Sequence, residues 1–480
     1  GFTGQELATL AELLSVAASA EIALCLDPDE IDLNEPAEPT AEATRPFAAG
    51  ERTYAKLLQI VRKRRLPLAA PLVLHRARRF REAPGLARLE AQIPHDRTGG
   101  PLRIDGAVEL VKAHDAHAEV RFVAERIIAQ GQADVVALGR QMIADPDFVV
   151  KAAAGRRDEI RQCIRCTVCY PGPSGEHETD PADRVYPKLG SCTVNPYSVN
   201  LFSHHTLFPE DVPPVQAARR VLVLGGGPGG MQAAIDCHDR GHHVTLVDDA
   251  ERLGGTLRMC DTDTIKTELL AYRDYLIREV NRRDITVRLN ERATPATVRE
   301  FAPEALIVAI GAGPFLPPIP GIELAIPGWD TFFVDPHTIG QRVVVVGGGL
   351  VGSEASLEWA AHGRQVTVVE ARERLVPDSL GIHRTALLDQ MTAHGVTSVL
   401  ETTVLRIQPD GVLVRDSEGE RLLPADSVIV GLGQRPRNAE AQALADAAGD
   451  VPVFVIGDAV AARRVGEAVT QAYRAAMSIT

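Results

Sequence analysis

Aromatic residues, blocks of positive charge and long apolar runs are all scarce in this 480-residue chain. Phe, Trp and Tyr make up 4% of the residues, which disfavours the aromatic platforms on which nucleic-acid bases stack. Lys and Arg number 51 against 64 Asp and Glu, a formal net charge of −13. The sequence therefore predicts no binding to nucleic acid or to an anionic membrane surface. No apolar run reaches the roughly 18 residues that a membrane helix needs.

The sequence also predicts no secretory leader, since its first residues do not form a basic segment followed by an apolar one. The first residue is Gly1 rather than methionine, so this absence carries little weight. Apolar residues at 45% and charged residues at 24% are ordinary for a globular protein. At roughly 150 residues per domain, the length predicts about three domains.

The seven cysteines are odd in number, and four of them form a cluster in the sequence: Cys163, Cys166, Cys169 and Cys192. A disulfide framework would distribute an even number over a short chain, so the cluster indicates a metal site in a reducing, cytoplasmic compartment. Three closely spaced thiolates with a fourth from a later turn are typical of a [4Fe–4S] cluster. Tetrahedral zinc is the first alternative, although zinc ribbons usually present two separated cysteine pairs. Four unligated buried cysteines are the second.

A short apolar strand, a glycine turn and the start of a helix follow one another from Arg220. Gly225 would make the tight turn, Gly227 would let the backbone approach a pyrophosphate, and Gly230 would permit close packing of helix on strand. A second apolar strand ends in Asp248, where a carboxylate can accept hydrogen bonds from an adenosine ribose. A glycine-rich turn without a ligand is the alternative, but the full order of strand, triplet, helix, strand and acid predicts a dinucleotide site.

The same pattern recurs about 120 residues later. Gly347, Gly349 and Gly352 follow an apolar strand, and Glu370 ends the next strand at the same spacing from Gly352 as Asp248 has from Gly230. The chain therefore predicts two dinucleotide-binding units in tandem. For the second unit, a fold that has lost its nucleotide is the alternative.

Three smaller segments complete this pattern. Gly255 follows the first acid, Gly311 ends a buried strand, and Gly457-Asp458 ends a late strand. The arrangement resembles the flavoproteins of the glutathione-reductase type, which have two dinucleotide-binding domains. The resemblance implies that the first unit binds FAD and that the second unit, inserted into it, binds NAD(P)H. It also implies that Asp458 reaches the ribityl chain of the flavin.

Two further cysteines and four histidines are not predicted to take part in catalysis or in cofactor binding. Cys237 and Cys260 are interpreted as core thiols, because the redox cysteine pair of that family has no counterpart here. Four histidines are interpreted as exposed rather than catalytic: His75, His95, His114 and His117.

The N-terminal third alternates helix-like and strand-like segments, which predicts part of a (β/α) barrel. A complete barrel takes about 250 residues, and only about 150 precede the cysteines. A strand ending in Gly139-Arg140 and followed by the cysteine segment resembles the end of an old-yellow-enzyme-type barrel. The order of barrel, cluster, FAD-type unit and NAD-type unit resembles the family of 2,4-dienoyl-CoA reductase, 2-enoate reductase and trimethylamine dehydrogenase. The resemblance implies that Gly139 and Arg140 hold the phosphate of FMN; a plain strand end with a solvated arginine is the alternative.

The predicted fold class is α/β, with a partial (β/α) barrel, an iron–sulfur segment and two Rossmann-like domains of the glutathione-reductase type. The predicted boundaries are 1–158 for the FMN-type partial barrel, 159–215 for the iron–sulfur segment, 216–322 with 433–480 for the FAD-binding domain, and 323–432 for the NAD(P)-binding domain.

The resemblance implies an NAD(P)H-dependent FAD/FMN iron–sulfur oxidoreductase. Electrons would pass from NAD(P)H through FAD and a 4Fe-4S cluster to FMN and an unsaturated acyl substrate, an enoate or a dienoyl-CoA. One alternative is an amine dehydrogenase or N-demethylase of the trimethylamine dehydrogenase type. Another is a non-catalytic electron-transfer subunit completed by a partner chain. A homo-oligomer is compatible with the sequence.

The catalytic residues stay unassigned, because no position matches the acid–base pair of that family. We therefore expect that this chain alone does not reduce an enoate. In the second unit Glu370 predicts a preference for NADH, since a carboxylate would repel the 2′-phosphate of NADPH. Arg372 and Arg374 lie close by and would favour NADPH instead.

Overall fold

The computed structural model describes residues 138–169, 192–200, 212–262, 266–377 and 381–480, together with residues 136 and 379. Residues Arg140–Thr480 form one compact unit, and the predicted barrel lies almost entirely outside the described residues. The helices are α1 (Arg140–Ala144), α2 (Phe148–Ala153), α3 (Pro228–Asp239), α4 (Thr267–Asn281), α5 (Pro295–Phe301), α6 (Leu350–Ala361), α7 (Gly381–Ala393), α8 (Asn438–Asp446) and α9 (Val465–Ser478).

The strands are β1 (Arg220–Leu224), β2 (His243–Val247), β3 (Thr286–Arg288), β4 (Ala305–Val308), β5 (Ala312–Pro314), β6 (Ile326–Pro327), β7 (Arg342–Val346), β8 (Gln365–Val369), β9 (Thr397–Val399), β10 (Thr403–Gln408), β11 (Gly411–Asp416), β12 (Gly419–Pro424), β13 (Ser427–Val430), β14 (Gln434–Pro436) and β15 (Val453–Val455). Short 3-10 turns cover Arg157–Glu159, Pro196–Asn200, Gly255–Asp261, Ile322–Leu324, Asp330–Phe332, Pro336–Thr338 and Gly457–Ala459.

The first sheet is parallel and has the strand order β15-β4-β1-β2-β3. Its central strand β1 is apolar from Val221 to Leu224, because helices cover both of its faces. Val221 and Val223 pack in a core that includes residues of α3 and α9. Leu222 and Leu224 point the other way, into a core with α5 and α8. This layering places the glycine turn after β1 at the carboxyl edge of the sheet.

The second sheet is also parallel, with the order β6-β13-β7-β8-β9, and its strands lie between β5 and β14 in the chain. Val343 and Val345 of β7 pack against α6. Val344 and Val346 pack in a core with β11 of the antiparallel sheet β10-β11-β12. The predicted α/β class with two Rossmann-like sheets is confirmed.

The two sheets are joined at several places. The antiparallel ribbon of β5 and β14 carries the chain out of the first unit and back into it. A small core of Met259, Cys260, Phe332 and Ala355 lies between the first unit and α6. Cys260 and Cys237 are buried, with 1% and 0% of their surface exposed, as expected for core thiols. Within the described parts of the chain, none of the helices combines the length and apolar character needed to cross a bilayer.

Candidate functional site

The three glycines of the first turn differ in what surrounds them. Gly225 has φ +106°, a left-handed conformation that favours glycine. A Cβ on Gly230 would overlap the carbonyl oxygen of Gly225, so close packing of α3 on β1 requires glycine there. A Cβ on Gly227 would meet nothing closer than the Cα of Gly255 at 3.8 Å. The space beside Gly227 is therefore open, in front of the free N–H groups that begin α3.

The turn of the second unit repeats this arrangement. Gly347 has φ +101°, and a Cβ on Gly352 would overlap the carbonyl oxygen of Gly347. A Cβ on Gly349 would meet nothing within 4 Å. Each unit thus combines a tightly packed turn with open space at its second glycine, which is the shape that a bound pyrophosphate needs.

The two acids predicted to meet ribose lie beside these turns. Asp248 accepts the N–H of Gly226, and its Oδ1 accepts the N–H of Ala250 at 2.8 Å. Glu370 accepts the N–H of Gly348 at 2.7 Å through Oε2. These backbone contacts fix both carboxylates at the end of the second strand of each unit.

A cavity of about 1020 Å³ is lined by most of the residues predicted to bind the dinucleotide in the first unit. That volume is at the upper end of small-molecule sites. Its walls include Gly225, Gly227, Asp248, Gly255, Gly311, Gly457 and Asp458 of the first unit, Arg165 and Cys166 of the cysteine segment, and Leu350, Glu354 and Leu357 of α6. The turn glycines of the second unit and Glu370 are not among its lining residues. Burial raises the pKa of Asp458, whose Oδ1 accepts the N–H of Arg463 at 3.0 Å.

The first unit is linked to α6 across this cavity by an ion pair. Lys266 Nζ lies 3.2 Å from Glu354 Oε2, and the side chains are 12% and 18% exposed. The sequence analysis missed this pair, because neither residue belongs to a recognisable motif. The spacing of Leu350, Glu354 and Leu357, which places them on one face of α6, is the signal that could have found it.

The cysteine segment reverses its direction twice between its first three cysteines. Cys163, Cys166 and Cys169 are half-buried and Cys192 is buried. Arg165 and Thr167 have φ of +54° and +58°, so the backbone reverses after each of the first two cysteines.

Side chains that the sequence analysis missed hold this segment in place. The N–H of Arg161 donates to Asp145 Oδ2 at 2.8 Å, and Lys151 Nζ donates to the same oxygen at 2.9 Å. Gln141 of α1 donates to the carbonyl of Arg161 at 3.0 Å and accepts the N–H of Cys163 at 3.0 Å.

The fourth cysteine is held in the same way. The N–H of Cys192 donates to Ser198 Oγ at 2.7 Å, and Asn195 Nδ2 donates to the carbonyl of Ile143 at 2.8 Å. Cys166 Sγ donates to Thr193 Oγ1 at 3.2 Å. The two halves of the segment therefore meet at α1, although a long insert separates Cys169 from Cys192 in the sequence.

The thiols form a donor set suited to a soft metal or an iron–sulfur cluster. Burial, reinforced by the nearby Cys163 and Cys166, raises the pKa of Cys169 to about 11 and that of Cys192 to about 12. In the part of the chain that the structure describes, no three His, Cys, Asp or Glu side chains lie close enough to hold a metal ion. Binding a cluster would bring the sulfurs closer together than they lie here.

A buried polar network lies between the cysteine segment and α3. The guanidinium carbon of Arg161 lies 5.3 Å from the ring centre of Tyr197 and 5.5 Å from that of Tyr275. Tyr197 donates its hydroxyl hydrogen to Asp236 Oδ1 at 2.6 Å, and Gln232 Nε2 donates to the same oxygen at 2.9 Å. Burial raises the pKa of the Asp236 carboxyl from 3.8 to about 7.

Replacing Asp236 by asparagine should change how stability depends on pH. The folded protein holds the Asp236 proton more tightly than the unfolded chain, so the native protein loses stability as pH rises from 3.8 to about 7. The asparagine side chain does not titrate, so the stability of Asp236→Asn relative to the native protein should increase across this range, on the order of a kcal/mol per pH unit. Urea unfolding midpoints of the native protein and of Asp236→Asn between pH 5 and pH 8 measure this change. A stability difference between the two proteins that does not depend on pH would contradict the argument that burial raises the pKa of Asp236.

The predicted FMN phosphate residues lie at the edge of the described chain. Arg140 begins α1 and is exposed, and a Cβ on Gly139 would meet nothing within 4 Å. The earlier barrel segments lie outside the described residues, so the FMN site stays a prediction.

Comparison with known proteins identifies the dinucleotide-binding region. The family model described as pyridine nucleotide-disulphide oxidoreductase matches residues 219–476, more than half of the chain. The chain belongs to this family. Membership of this oxidoreductase family implies FAD and a nicotinamide nucleotide as cofactors. A second model, described as ADDB, N-terminal, matches residues 1–90, which lie outside the described residues and include the predicted start of the barrel.

Individual relatives extend the match beyond this region. The chain is 34% identical over 369 residues to an NADH oxidase of Thermoanaerobacter brockii, covering 74% of this chain and 53% of that protein. It is 33% identical over 357 residues to a bilirubin reductase of Mediterraneibacter gnavus, covering 74% and 53%. A 2-naphthoyl-CoA reductase structure superimposes with a TM-score of 0.66 at 26% identity, covering 75% of this chain and 52% of that one.

The chain spans about half the length of the curated relatives that it matches. These matches confirm the resemblance to the old-yellow-enzyme-type iron–sulfur flavoprotein family that the sequence indicated.

The second unit should prefer NADH to NADPH by about tenfold in kcat/KM, about 1.4 kcal/mol. Both oxygens of Glu370 accept backbone N–H groups, from Gly348 at 2.7 Å and from Arg372 at 2.9 Å, which fixes a negative charge where a 2′-phosphate would lie. Steady-state reduction of the flavin by each nucleotide measures the ratio, and Glu370→Gln should narrow it. A native preference for NADPH would mean that Arg372 and Arg374 decide the selectivity.

Proposed function

We propose that this chain is the electron-input part of an iron–sulfur flavoprotein reductase. It would take electrons from NAD(P)H through FAD and a 4Fe-4S cluster toward FMN and an unsaturated acyl substrate. The observation that carries this proposal is the shared cavity. Its walls include Cys166, the glycine turn of the first unit and one face of α6. A flavin in this cavity would lie between the second unit, where the nicotinamide nucleotide would bind, and the thiols of the cysteine segment.

The residues have distinct tasks in this proposal. The open space at Gly227 and the N-terminus of α3 would bind the pyrophosphate of FAD, with Asp248 and Asp458 lining the same cavity. Gly349 would give a nicotinamide nucleotide the same access in the second unit. Bound FAD would supply the exchange of a hydride for single electrons, and a bound cluster would carry those electrons singly.

The relatives matched at 33–34% identity favour reduction over amine oxidation, whereas a dimethylamine dehydrogenase of Hyphomicrobium matches the same share of this chain at 25% identity. The NADH oxidase and the bilirubin reductase match three quarters of this chain at 33–34% identity. The 2-naphthoyl-CoA reductase structure superimposes on a similar share of the chain. The second unit also keeps every glycine that a nicotinamide nucleotide needs, which an enzyme passing electrons to a separate flavoprotein would not require.

Flavin content and turnover of the purified 480-residue chain test this proposal. We expect about one FAD per chain, FMN well below one, and NADH-dependent dye reduction without reduction of an enoate or enoyl-CoA, because proton delivery to the substrate needs a positioned acid. Extracted flavins are separated by chromatography, and an amine is supplied as the alternative donor.

Stoichiometric FMN together with enoyl turnover would show that the barrel is complete enough for catalysis. Flavin reduction by an amine and not by NADH would favour the amine dehydrogenase alternative instead. Dye reduction that disappears when iron is removed would link the cysteine segment to the proposed electron path.

A further inference from the structure

The cysteine segment is tied to the first dinucleotide unit by an ion pair between Arg165 and Glu268. Arg165 lies between Cys163 and Cys166, whereas Glu268 lies in the first turn of α4. Both residues line the cavity. Their side chains are 35% and 27% exposed, so solvent screens the pair only in part.

The backbone holds Arg165 beside the thiols. Its left-handed φ of +54° turns its N–H toward Cys163, and this group donates to Cys163 Sγ at 3.4 Å. The guanidinium lies within electrostatic range of the same sulfur, as does that of Arg140. An electron that arrives on the thiol-bound group would therefore meet a positive charge fixed by its own ligand loop.

Glu268 limits the freedom of that charge. One of its oxygens pairs with Arg165, and the other accepts the hydroxyl hydrogen of Thr267 at 3.3 Å. Because the carboxylate is anchored on α4, it both positions the guanidinium and offsets its charge.

We propose that Arg165 raises the reduction potential of the cluster that the four cysteines would bind, and that Glu268 is a positioning residue that moderates this effect. The inference rests on the proposed function. Reduction adds a negative charge to a cluster, so a nearby cation stabilises the reduced form and raises the potential, whereas a nearby anion lowers it. The potential in turn sets how the electrons divide between flavin and cluster.

The test is an EPR-monitored redox titration of the purified holoprotein at fixed ionic strength. Arg165→Gln should lower the cluster potential, because it leaves the carboxylate without the cation. Glu268→Gln should raise it, because it leaves the cation without the carboxylate. We expect each change to alter the equilibrium constant for reduction about tenfold, which is about 59 mV for one electron.

Three further variants separate charge from structure. Arg165→Lys and Glu268→Asp keep the charges and should stay near the native potential. The double variant Arg165→Gln with Glu268→Gln should lie between the two single variants. A pair that merely braces the loop would give shifts of one sign, since either substitution would break the same contact.

The exposed pair of Arg415 and Glu420, on β11 and β12 of the second unit, is the matched control. Its Nε–Oε1 distance is 3.2 Å, and Arg415→Gln and Glu420→Gln should leave the potential unchanged. A potential for Glu268→Gln at or below the native value overturns the inference and leaves the proposed function intact. Reduced native protein without a cluster EPR signal overturns both. If Arg165→Gln loses iron, the Glu268 variants and Arg165→Lys still decide the outcome.

Discussion

Replacing Gly227 by valine is expected to give folded protein that has lost its FAD. The backbone of Gly227 is extended, with φ −75° and ψ −178°, so valine can adopt it without strain. The protein itself leaves room, since a Cβ there would meet only the Cα of Gly255 at 3.8 Å. The added methyl groups would instead fill the space in front of α3 where the pyrophosphate must lie. Affinity for FAD should fall by at least about tenfold, or about 1.4 kcal/mol.

Two matched variants make this result specific. Gly349→Val places the same side chain on the same extended backbone, with φ −68° and ψ −175°, and should keep FAD while losing its reduction by NADH. Gly230→Val would overlap the carbonyl of Gly225 and should lower stability itself. FAD absorbance per chain and thermal unfolding, measured on all three, separate lost binding from lost folding. Stoichiometric FAD in folded Gly227→Val would show that the first unit is not the flavin site.

The glycine turns could be predicted from sequence because their conformation depends only on residues close to them in the chain. Gly225, Gly227 and Gly230 each have a role set by the strand before them and the helix after them. The structure shows two kinds of requirement within one triplet: Gly230 is required by the fold itself, and Gly227 only by a ligand. Sequence spacing indicates the triplet, but only coordinates separate these two reasons for glycine.

The framework of the cysteine segment could not be predicted in this way. Asp145 reaches the N–H of Arg161 over 16 residues, and Asn195 reaches the carbonyl of Ile143 over 52 residues. Neither pairing has a periodicity, and an isolated Asp or Asn is equally typical of an exposed loop. These contacts depend on how α1 packs against the chain on both sides of the insert between Cys169 and Cys192. The hydrogen-bond partners of the cysteine segment are therefore determined by tertiary packing, and the spacing of the motif does not predict them.

Replacing Cys166 by alanine should remove the iron while leaving the flavin in place. Cys166 lies in the cavity wall, and its loss leaves three sulfur donors for a group that needs about four. FAD should stay because its turn is built by residues of the first sheet, which does not include the cysteine segment. Iron and sulfide should fall from about four per chain to near zero, with loss of visible absorbance beyond that of the flavin.

Cys237→Ala is the control for this variant, because Cys237 is fully buried in α3 and its thiol is kept neutral by a pKa that burial raises. It should retain iron, sulfide and FAD, apart from a modest loss of stability from the cavity that it creates. Metal analysis of the anaerobically purified native protein and of both variants decides between iron and zinc, which four thiolates can both bind. Stoichiometric zinc without iron in the native protein would replace the cluster by a structural site. The cysteine segment would then brace the flavin cavity, and its place on the proposed electron path would be lost.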